Sequence, residues 1–410
     1  MIPKPPAPRR RALRAGALAV LASLFASLAA CSSGWEPAFD EAAPPELFES
    51  VAIAPPAEAL TFARTGGPGE RRVIAVTEYC DGTVRGVDLT AALGRAVSDP
   101  IAVFQELGYE GLADLLRDPP AAALVSVPAA DLVIPVDLGR HHVAAATNFP
   151  EHAGDAGVDD GPFLFAKLVE PTGPREEVPV GTGLLDYEVE VAWVTLAPLE
   201  PGAAPESLGL VLCNDFTDRE TLLHRVDPWD VESGAGFTTG KSFPGFLPIG
   251  DLFVVTKDPR KFAEDLELRL WVNGALRQRS RASEMVWDLD EIVARTWAWK
   301  DRRWDHRGEQ VALIPTAEVI PERTLLLSGT PHGTVFAGLA PRHYLLGLTR
   351  WLAGGWDVSL PQQVVAAYVD DARDAGAYLR AGDRVDIHVE RMGVVRSRVA
   401  PEPSAVGEST

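Results

Sequence analysis

The chain is poor in cysteine and in positive charge, and each shortage excludes a class of protein. Of three cysteines in 410 residues, only Cys80 and Cys213 lie beyond residue 31. Two cysteines cannot build the disulfide framework of a small secreted domain, and we expect two buried free thiols. Lysine and arginine total 38 against 58 acidic residues, a formal charge of -20. Because a polyanion repels nucleic acid, nucleic-acid binding is excluded.

Long apolar runs are also scarce, and the one that stands out lies near the N-terminus. Four arginines between residues 9 and 14 precede the uncharged run Ala15–Ala30, which ends at Cys31. The run is too short for a comfortable membrane span, and Leu28-Ala29-Ala30-Cys31 resembles a bacterial lipoprotein signal. A secretory signal followed by an incidental cysteine is the alternative. We predict that residues 1–30 are removed and that lipidated Cys31 anchors an exported protein in the bacterial cell envelope, at the inner or outer membrane.

Composition divides the rest of the chain into segments of different character. Residues 31–70, rich in proline, alanine and glycine, predict a flexible tether. Residues 71–138 combine a strand pattern, the Asp81-Gly82 turn and helical spacing, which predicts a small N-terminal α+β domain. Residues 139–400 are short β-rich segments between glycines and prolines, and residues 401–410 read as a flexible tail. The fold class is therefore α+β, mostly β.

Residues 335–377 interrupt this β-rich region. Leu345, Leu348 and Leu352 have helical spacing, and so do Val364 and Tyr368. We predict a helical insertion that serves as a lid or a dimer element, or that elaborates the surface without a role.

Three carboxylates are the first candidates for chemistry. Glu188 and Glu190 flank Val189 in a probable strand, so they point to the same face. Asp215 follows a second probable strand, Leu208–Cys213. Such oxygen ligands suit a hard divalent cation such as Mg2+. On spacing alone, two glutamates two residues apart are usually the solvated face of a half-buried strand, and only seldom a metal site.

Six short motifs follow one another along the chain. They are Asn148–Asp155, Asp186–Glu190, Asn214–Glu220, Gly240–Phe243, Ser328–Gly333 and Leu379–Asp383. In order and spacing they resemble the fumarylacetoacetate hydrolase family over about residues 70–400, with the insertion as a gap. The resemblance implies a mixed β-sandwich or β-roll catalytic domain of the fumarylacetoacetase C-terminal type, often dimeric, so a homodimer is expected.

The resemblance also implies a cofactor and a substrate class. Glu188, Glu190 and Asp215 would bind Mg2+, or Mn2+ or Ca2+ in its place. The substrate would be a small anionic 2-oxo or β-dicarbonyl compound of the acylpyruvate type. Hydrolytic or lyase cleavage of its C–C bond would pass through a metal-bound enolate, with the metal acting as Lewis acid and template.

Further residues take roles from the same motifs. His152 is the expected base, and Asp155, one helical turn on, would orient it. The family commonly has Glu at that position. Asp155 is shorter by one methylene group, so its reach to His152 decides whether the pair can activate water. Lys241 is expected as a second cation for a carboxylate or oxyanion. Thr330 would donate its hydroxyl to the substrate or hold its own turn, and Arg219 is assigned to the substrate.

Two alternatives stay open at this stage. The same site could serve a decarboxylase, an isomerase or a hydratase. A membrane-anchored binding protein or pseudoenzyme could instead keep the metal and ligand site without turnover.

Overall fold

The computed structural model describes residues 41–156, 161–203 and 208–402. The predicted signal peptide, Cys31 and the side chain of Asp155 lie outside the described part of the chain. Within that part, no helix combines the length and the apolar character needed to cross a bilayer. Cys80 and Cys213 are both free thiols, but only Cys213 is buried, whereas Cys80 is half-buried beside Ser50.

Strands dominate the described residues. In chain order they are β1 (Ala59–Thr65), β2 (Arg72–Cys80), β3 (Thr83–Asp88), β4 (Leu124–Pro128), β5 (Leu132–Val133), β6 (His141–Ala146), β7 (Phe163–Leu168), β8 (Glu177–Val180), β9 (Leu185–Asp186), β10 (Val189–Thr195), β11 (Leu208–Asn214), β12 (Thr217–Asp218), β13 (Phe253–Thr256), β14 (Glu267–Val272), β15 (Ala275–Arg281), β16 (Arg303–His306), β17 (Glu309–Ala312), β18 (Leu325–Leu327), β19 (Arg384–Val389) and β20 (Gly393–Pro401).

Helices connect many of these strands. The α-helices in the described ranges are Leu89–Leu93, Pro100–Arg117, Pro150–Ala156, Arg219–Leu223, Phe237–Gly240, Pro259–Glu264, Leu289–Ala298, Pro341–Leu352 and Leu360–Ala375. Several begin at an aspartate whose carboxylate accepts backbone N–H groups of the first turn, as Asp88 and Asp258 do.

Most of the strands form one mixed sheet of eleven. The order across it is β4-β3-β2-β1-β13-β11-β10-β18-β6-β7, with β5 paired to β1. Only β18 and β6 run parallel among these pairs. The central pair, β10 and β11, is buried along its whole length, because other layers cover both faces of the sheet there.

A second sheet packs on the first and closes the core. Its order is β15-β14-β19-β20-β8, with β20 and β8 parallel. One buried cluster joins Ala63 and Ile74 of the large sheet to Trp271, Leu276 and Val394 of the smaller one. Two sheets sharing an apolar layer make a β-sandwich, which confirms the predicted mostly-β, α+β class.

The predicted tether is wrong for part of its length. Ala59–Thr65 is strand β1, and all its side chains except that of Thr65 are buried. The glycine-rich stretch 66–69 that suggested a linker joins β1 to β2, which pair antiparallel. Strands on both sides of residue 138 share the large sheet. The remaining domain boundaries stay a prediction.

Residues 339–371 form a separate compact unit by their internal contacts. They contain the helix Pro341–Leu352 and most of the helix Leu360–Ala375. The two helices approach closely, since a Cβ placed on Gly347 would lie 2.7 Å from the backbone of Val364. The role of this helical hairpin stays a prediction.

Candidate active site

The candidate site lies at one end of the β10–β11 pair. Residue 189 pairs with Asn214 and Glu190 pairs with Cys213. Glu188, directly before β10, is linked to Asp215, directly after β11, by a backbone hydrogen bond of 2.9 Å. Side chains opposite one another in an antiparallel pair share a face, so the register itself brings the three carboxylates together.

Glu188 lies between two cations. Its Oε1 accepts a hydrogen bond of 2.5 Å from Arg219 Nη2, and its Oε2 accepts one of 2.7 Å from Lys241 Nζ. Burial alone would raise the pKa of this carboxyl, but Lys241 and Arg219 outweigh burial and lower it. Glu188 is therefore ionised at neutral pH.

Lys241 links Glu188 to Asp215. Its Nζ also donates to Asp215 Oδ2 at 2.9 Å, and burial leaves the side chain only 2% exposed. Burial lowers the pKa of the ammonium, but the carboxylates of Asp215 and Glu188 outweigh it, and the net shift is upward. The position of Lys241 depends on Gly240, where a Cβ would lie 2.8 Å from the Cβ of Leu222. Lys241 therefore carries a fixed positive charge at the site.

A third cation, Lys167, completes this group. It extends from β7, is fully buried, and donates to the carbonyl oxygen of Lys241. Its Nζ lies 2.5 Å from Asp215 Oδ1, an ion-pair contact without hydrogen-bond geometry. Burial lowers the pKa of Lys167, while Asp215 opposes that shift.

Glu190 differs from its two neighbours because no side-chain cation bonds it. It is fully buried, and its Oε2 accepts the backbone N–H of Gly329 at 2.9 Å. Its Oε1 has no hydrogen-bond partner. Burial, with the nearby charges of Asp215 and Glu188, raises the pKa of Glu190 well above its usual range. A buried carboxylate oxygen without a partner requires an explanation, and a bound cation supplies one.

The three carboxylates fit a divalent cation. Each offers one oxygen, and these oxygens lie within 4.8 Å of one another. An all-carboxylate set matches the preference of Mg2+, Mn2+ and Ca2+ for oxygen donors. The buried acidic triad can hold a metal ion whose identity is not determined by the ligands alone.

Asp186 organises the surroundings of the triad. Its Oδ2 accepts Arg219 Nε at 2.8 Å, which orients the guanidinium toward Glu188. Its carboxylate also accepts the backbone N–H groups of Val335 and Phe336 at 2.9 and 3.2 Å. Asp186 therefore holds a metal-ligand partner and the loop 328–336 at the same time.

Thr330 and Arg219, both predicted to touch substrate, are engaged within the protein. Thr330 Oγ1 donates to the carbonyl oxygen of Val189 at 3.0 Å and accepts Gln278 Nε2 at 2.9 Å. Because its single proton is used there, the turn-holding interpretation is favoured. Arg219 bonds Asp186 and Glu188, so it positions a metal ligand; direct contact of either residue with substrate stays a prediction.

His152 lies close to the triad. It sits in the helix Pro150–Ala156, is buried, and contributes to lowering the pKa of Glu188. Before this helix, the Asn148 side chain bonds the backbone of Trp287 and Ser328, which ties the segment to the loop 328–336. The pairing of His152 with Asp155 stays a prediction.

Lys167 and Asp186 were not assigned roles from the sequence. A signal for Lys167 existed, because it is the only charge in the apolar strand Phe163–Leu168. A lone charge in an apolar strand is buried only when it is paired, so the position of Lys167 predicts a carboxylate partner. Asp186 had no comparable signal, since its partners at 219 and 335–336 are distant in sequence.

Comparisons with known proteins agree with this geometry. The family "Fumarylacetoacetate (FAA) hydrolase C-terminal" matches residues 141–400. A Burkholderia multivorans protein named "Putative hydrolase" is 30% identical over 246 residues, 57% of this chain and 80% of that protein. The mitochondrial oxaloacetate decarboxylase of Dictyostelium discoideum is 26% identical over 209 residues, 48% of this chain and 84% of that one.

A solved structure shows the same fold. Fumarylacetoacetate hydrolase from Exiguobacterium antarcticum superposes with a TM-score of 0.51 at 18% identity, covering 84% of this chain and 100% of that chain. At this identity the likeness concerns the fold alone. Together with the match over residues 141–400, these findings establish that the chain belongs to the fumarylacetoacetate hydrolase family.

Proposed function

We propose that this protein is a divalent-metal-dependent enzyme that cleaves a C–C bond in a small anionic 2-oxo acid or β-dicarbonyl compound of the acylpyruvate type. The observation that carries the proposal is the buried triad Glu188, Glu190 and Asp215: each residue offers one oxygen within 4.8 Å of the others, and the Glu190 side chain keeps an oxygen without a hydrogen-bond partner among the described residues. Family membership supports the same reading.

Glu188, Glu190 and Asp215 would hold Mg2+ or Mn2+. When bound, such a cation supplies a Lewis acid for the oxygens of a chelating substrate. The protein contributes the rest: Arg219 and Lys241 keep Glu188 ionised and fixed, and Gly329 N–H orients Glu190. A site held this rigidly needs little reorganisation when charge develops on the substrate.

The charges of the site favour an anionic substrate only when a cation is present. Four buried carboxylates, at 186, 188, 190 and 215, face three buried cations, Lys167, Arg219 and Lys241. With all four carboxyl groups ionised, a divalent cation makes the net charge of this group positive, and the site then attracts a carboxylate. We therefore expect an anion to bind after the metal.

His152 is the group we assign to proton transfer. It is buried close enough to Glu188 for its charge to lower the pKa of that carboxyl group. Its imidazole can take a proton from water, as hydrolysis requires, or from substrate carbon, as isomerisation requires. In decarboxylation the protonated imidazole would instead deliver a proton to the carbon that has lost CO2. Decarboxylation of oxaloacetate is the second candidate reaction, favoured by the similarity to the Dictyostelium discoideum decarboxylase.

Calorimetry on the full chain tests the proposal. We expect Mg2+ or Mn2+ to bind, oxalate to bind only when the metal is present, and Glu188→Gln to lose both. Asp386→Asn is the matched control, because Asp386 is also fully buried and bound by two arginines, Arg384 and Arg396, but outside the triad. Oxaloacetate and acylpyruvates are then assayed for turnover. Metal and oxalate binding without turnover of any of them would favour the pseudoenzyme alternative.

The cellular setting is proposed on sequence grounds. We keep export, lipidation at Cys31 and anchoring in the cell envelope as parts of the proposal, together with a homodimer and the exclusion of nucleic acid. Mass spectrometry of the N-terminal peptide tests lipidation directly.

A further inference from the structure

Exposed apolar side chains are concentrated in one short segment of the described chain. Nine large hydrophobic side chains are strongly exposed, and six of them lie within residues 344–360. We call this group the apolar face; it consists of Tyr344, Leu348, Leu352, Trp356, Val358 and Leu360. Exposed apolar side chains concentrated in one short segment are unlike the scattered single ones of an ordinary monomer surface, and they mark an interaction surface.

Helix geometry explains why the side chains point outward together. Tyr344, Leu348 and Leu352 are spaced by four residues in the helix Pro341–Leu352, so they share one side. Other sides of this helix pack on the second helix, where Gly347 meets Val364 and the His343 ring contacts Tyr368 edge-on. Trp356, in the connection after the helix, is 69% exposed. The two helices therefore bury part of their surfaces against each other, while the side chains of the apolar face stay exposed.

The charges of the hairpin are arranged away from electrostatic docking. Arg342 pairs with Asp371 at 2.7 Å, and Arg350 pairs with Asp370 at 2.8 Å. The remaining surface is apolar except for the exposed carboxylate of Asp357, between Trp356 and Val358. Its tyrosine and tryptophan favour the boundary between lipid headgroups and acyl chains. Such a surface suits a neutral, zwitterionic lipid layer.

The length of chain before the described structure selects a bilayer as the partner. Nine residues, 32–40, separate Cys31 from Glu41, where the described structure begins. Nine residues span at most roughly 30 Å. If Cys31 carries lipid, the folded protein cannot move out of contact range of the bilayer. We propose that the apolar face docks on the lipid surface to which Cys31 is anchored.

Photo-crosslinking in vesicles tests this docking. The full chain, produced in a bacterial host, is reconstituted in phosphatidylcholine vesicles that contain a phospholipid with a photoactivatable acyl chain. After irradiation, labelled peptides are mapped by mass spectrometry. We expect label on residues 344–360, and expect the triple variant Leu348→Ser, Leu352→Ser, Trp356→Ser to lose it by at least about tenfold, since interfacial binding scales with buried apolar area.

A matched control separates docking from nonspecific stickiness. Leu124 and Trp229 are 57% and 89% exposed and lie outside the hairpin. Leu124→Ser combined with Trp229→Ser removes comparable apolar side chains and is expected to leave the labelling of residues 344–360 unchanged. Circular dichroism and unaltered Mg2+ binding show that each variant is folded.

The outcomes distinguish this proposal from the predictions it rests on. The N-terminal peptide in the same digest reports whether Cys31 carries lipid. Label on residues 344–360 without lipid at Cys31 means that the anchor prediction fails and docking stands. Lipid at Cys31 with residues 344–360 unlabelled overturns docking. A dimer in which amide exchange of residues 344–360 is protected also overturns it, because a second copy then covers the apolar face. None of these readouts depends on catalytic turnover.

Discussion

The two glutamates of the triad should respond in opposite directions when each loses its charge. In the metal-free protein, Glu190→Gln should raise the free energy of unfolding, whereas Glu188→Gln should lower it. The difference follows from their partners: Glu188 is bonded by Arg219 and Lys241, while Glu190 has one backbone donor and a free Oε1. The same Glu→Gln change, made at two positions only two residues apart, is therefore expected to change the free energy of unfolding in opposite directions.

The magnitudes follow from the electrostatics. The pKa of Glu190 lies well above its ordinary value of 4.5. If folding leaves it neutral at pH 7, protonation costs about 1.4 kcal/mol per pH unit above 4.5, or about 3 kcal/mol in all. Glutamine, neutral in both states, avoids that cost. Glu188→Gln breaks a buried ion pair and leaves cations uncompensated, a loss of about 3 kcal/mol or more.

The assay is urea unfolding with EDTA and with saturating Mg2+. For Glu190, the folded pKa is raised, so the folded state binds the extra proton and metal-free stability falls as pH rises above 4.5. Glu190→Gln should remove that dependence. Mg2+ at a hundred times its Kd should stabilise the wild type by about 2.7 kcal/mol, and neither variant should gain comparably.

Two results would refute the reasoning. A metal-free Glu190→Gln protein that is less stable than wild type would show that the carboxylate is already compensated. Full stabilisation of that variant by Mg2+ would show that Glu190 is not a ligand.

Three further predictions concern Lys167 and Asp186, which lie beside the triad, and His388, which lies in strand β19 of the smaller sheet. Lys167→Met should tighten Mg2+ binding and weaken oxalate binding to the loaded site, each about tenfold by calorimetry, because a buried positive charge repels the cation and attracts the anion. Asp186→Asn should weaken Mg2+ binding about 10- to 100-fold, since a group that orients a ligand's partner is lost. Burial lowers the pKa of His388 from 6.5 to about 4, so the folded state resists protonation and stability falls as pH drops from 6.5 to 4. His388→Gln should flatten that pH dependence in urea unfolding by up to about 1.4 kcal/mol per pH unit.

Control variants accompany these tests. Lys257→Met removes a half-exposed lysine that pairs with Glu110 at 2.8 Å, and it should change neither metal nor oxalate binding. Asp386→Asn should weaken the fold without changing Mg2+ affinity. If Lys167→Met behaves like Lys257→Met, the assignment of Lys167 to the site is wrong.

Local patterns predicted a large part of this molecule. Asp81-Gly82 predicts a hairpin turn, and both residues have the positive φ that such a turn needs, between β2 and β3. Glu188 and Glu190 converge with Asp215 as the two-residue period of a strand and the motif order implied. Local sequence was less informative for β1, because the adjacent glycines resemble a linker when the pairing with β2 and β13 is not known.

The sequence by itself identified the three carboxylates of the site, because the two-residue period of a strand and the short family motifs can both be recognised within a few consecutive residues. Only the tertiary structure decided how each carboxylate is balanced. Glu188 is paired with Arg219 and Lys241, Asp215 contacts Lys167, and Glu190 keeps an oxygen without a partner. These ion pairs join residues 31 to 53 positions apart in the sequence. Burial makes them decisive, because charges removed from water interact too strongly to be left unpaired.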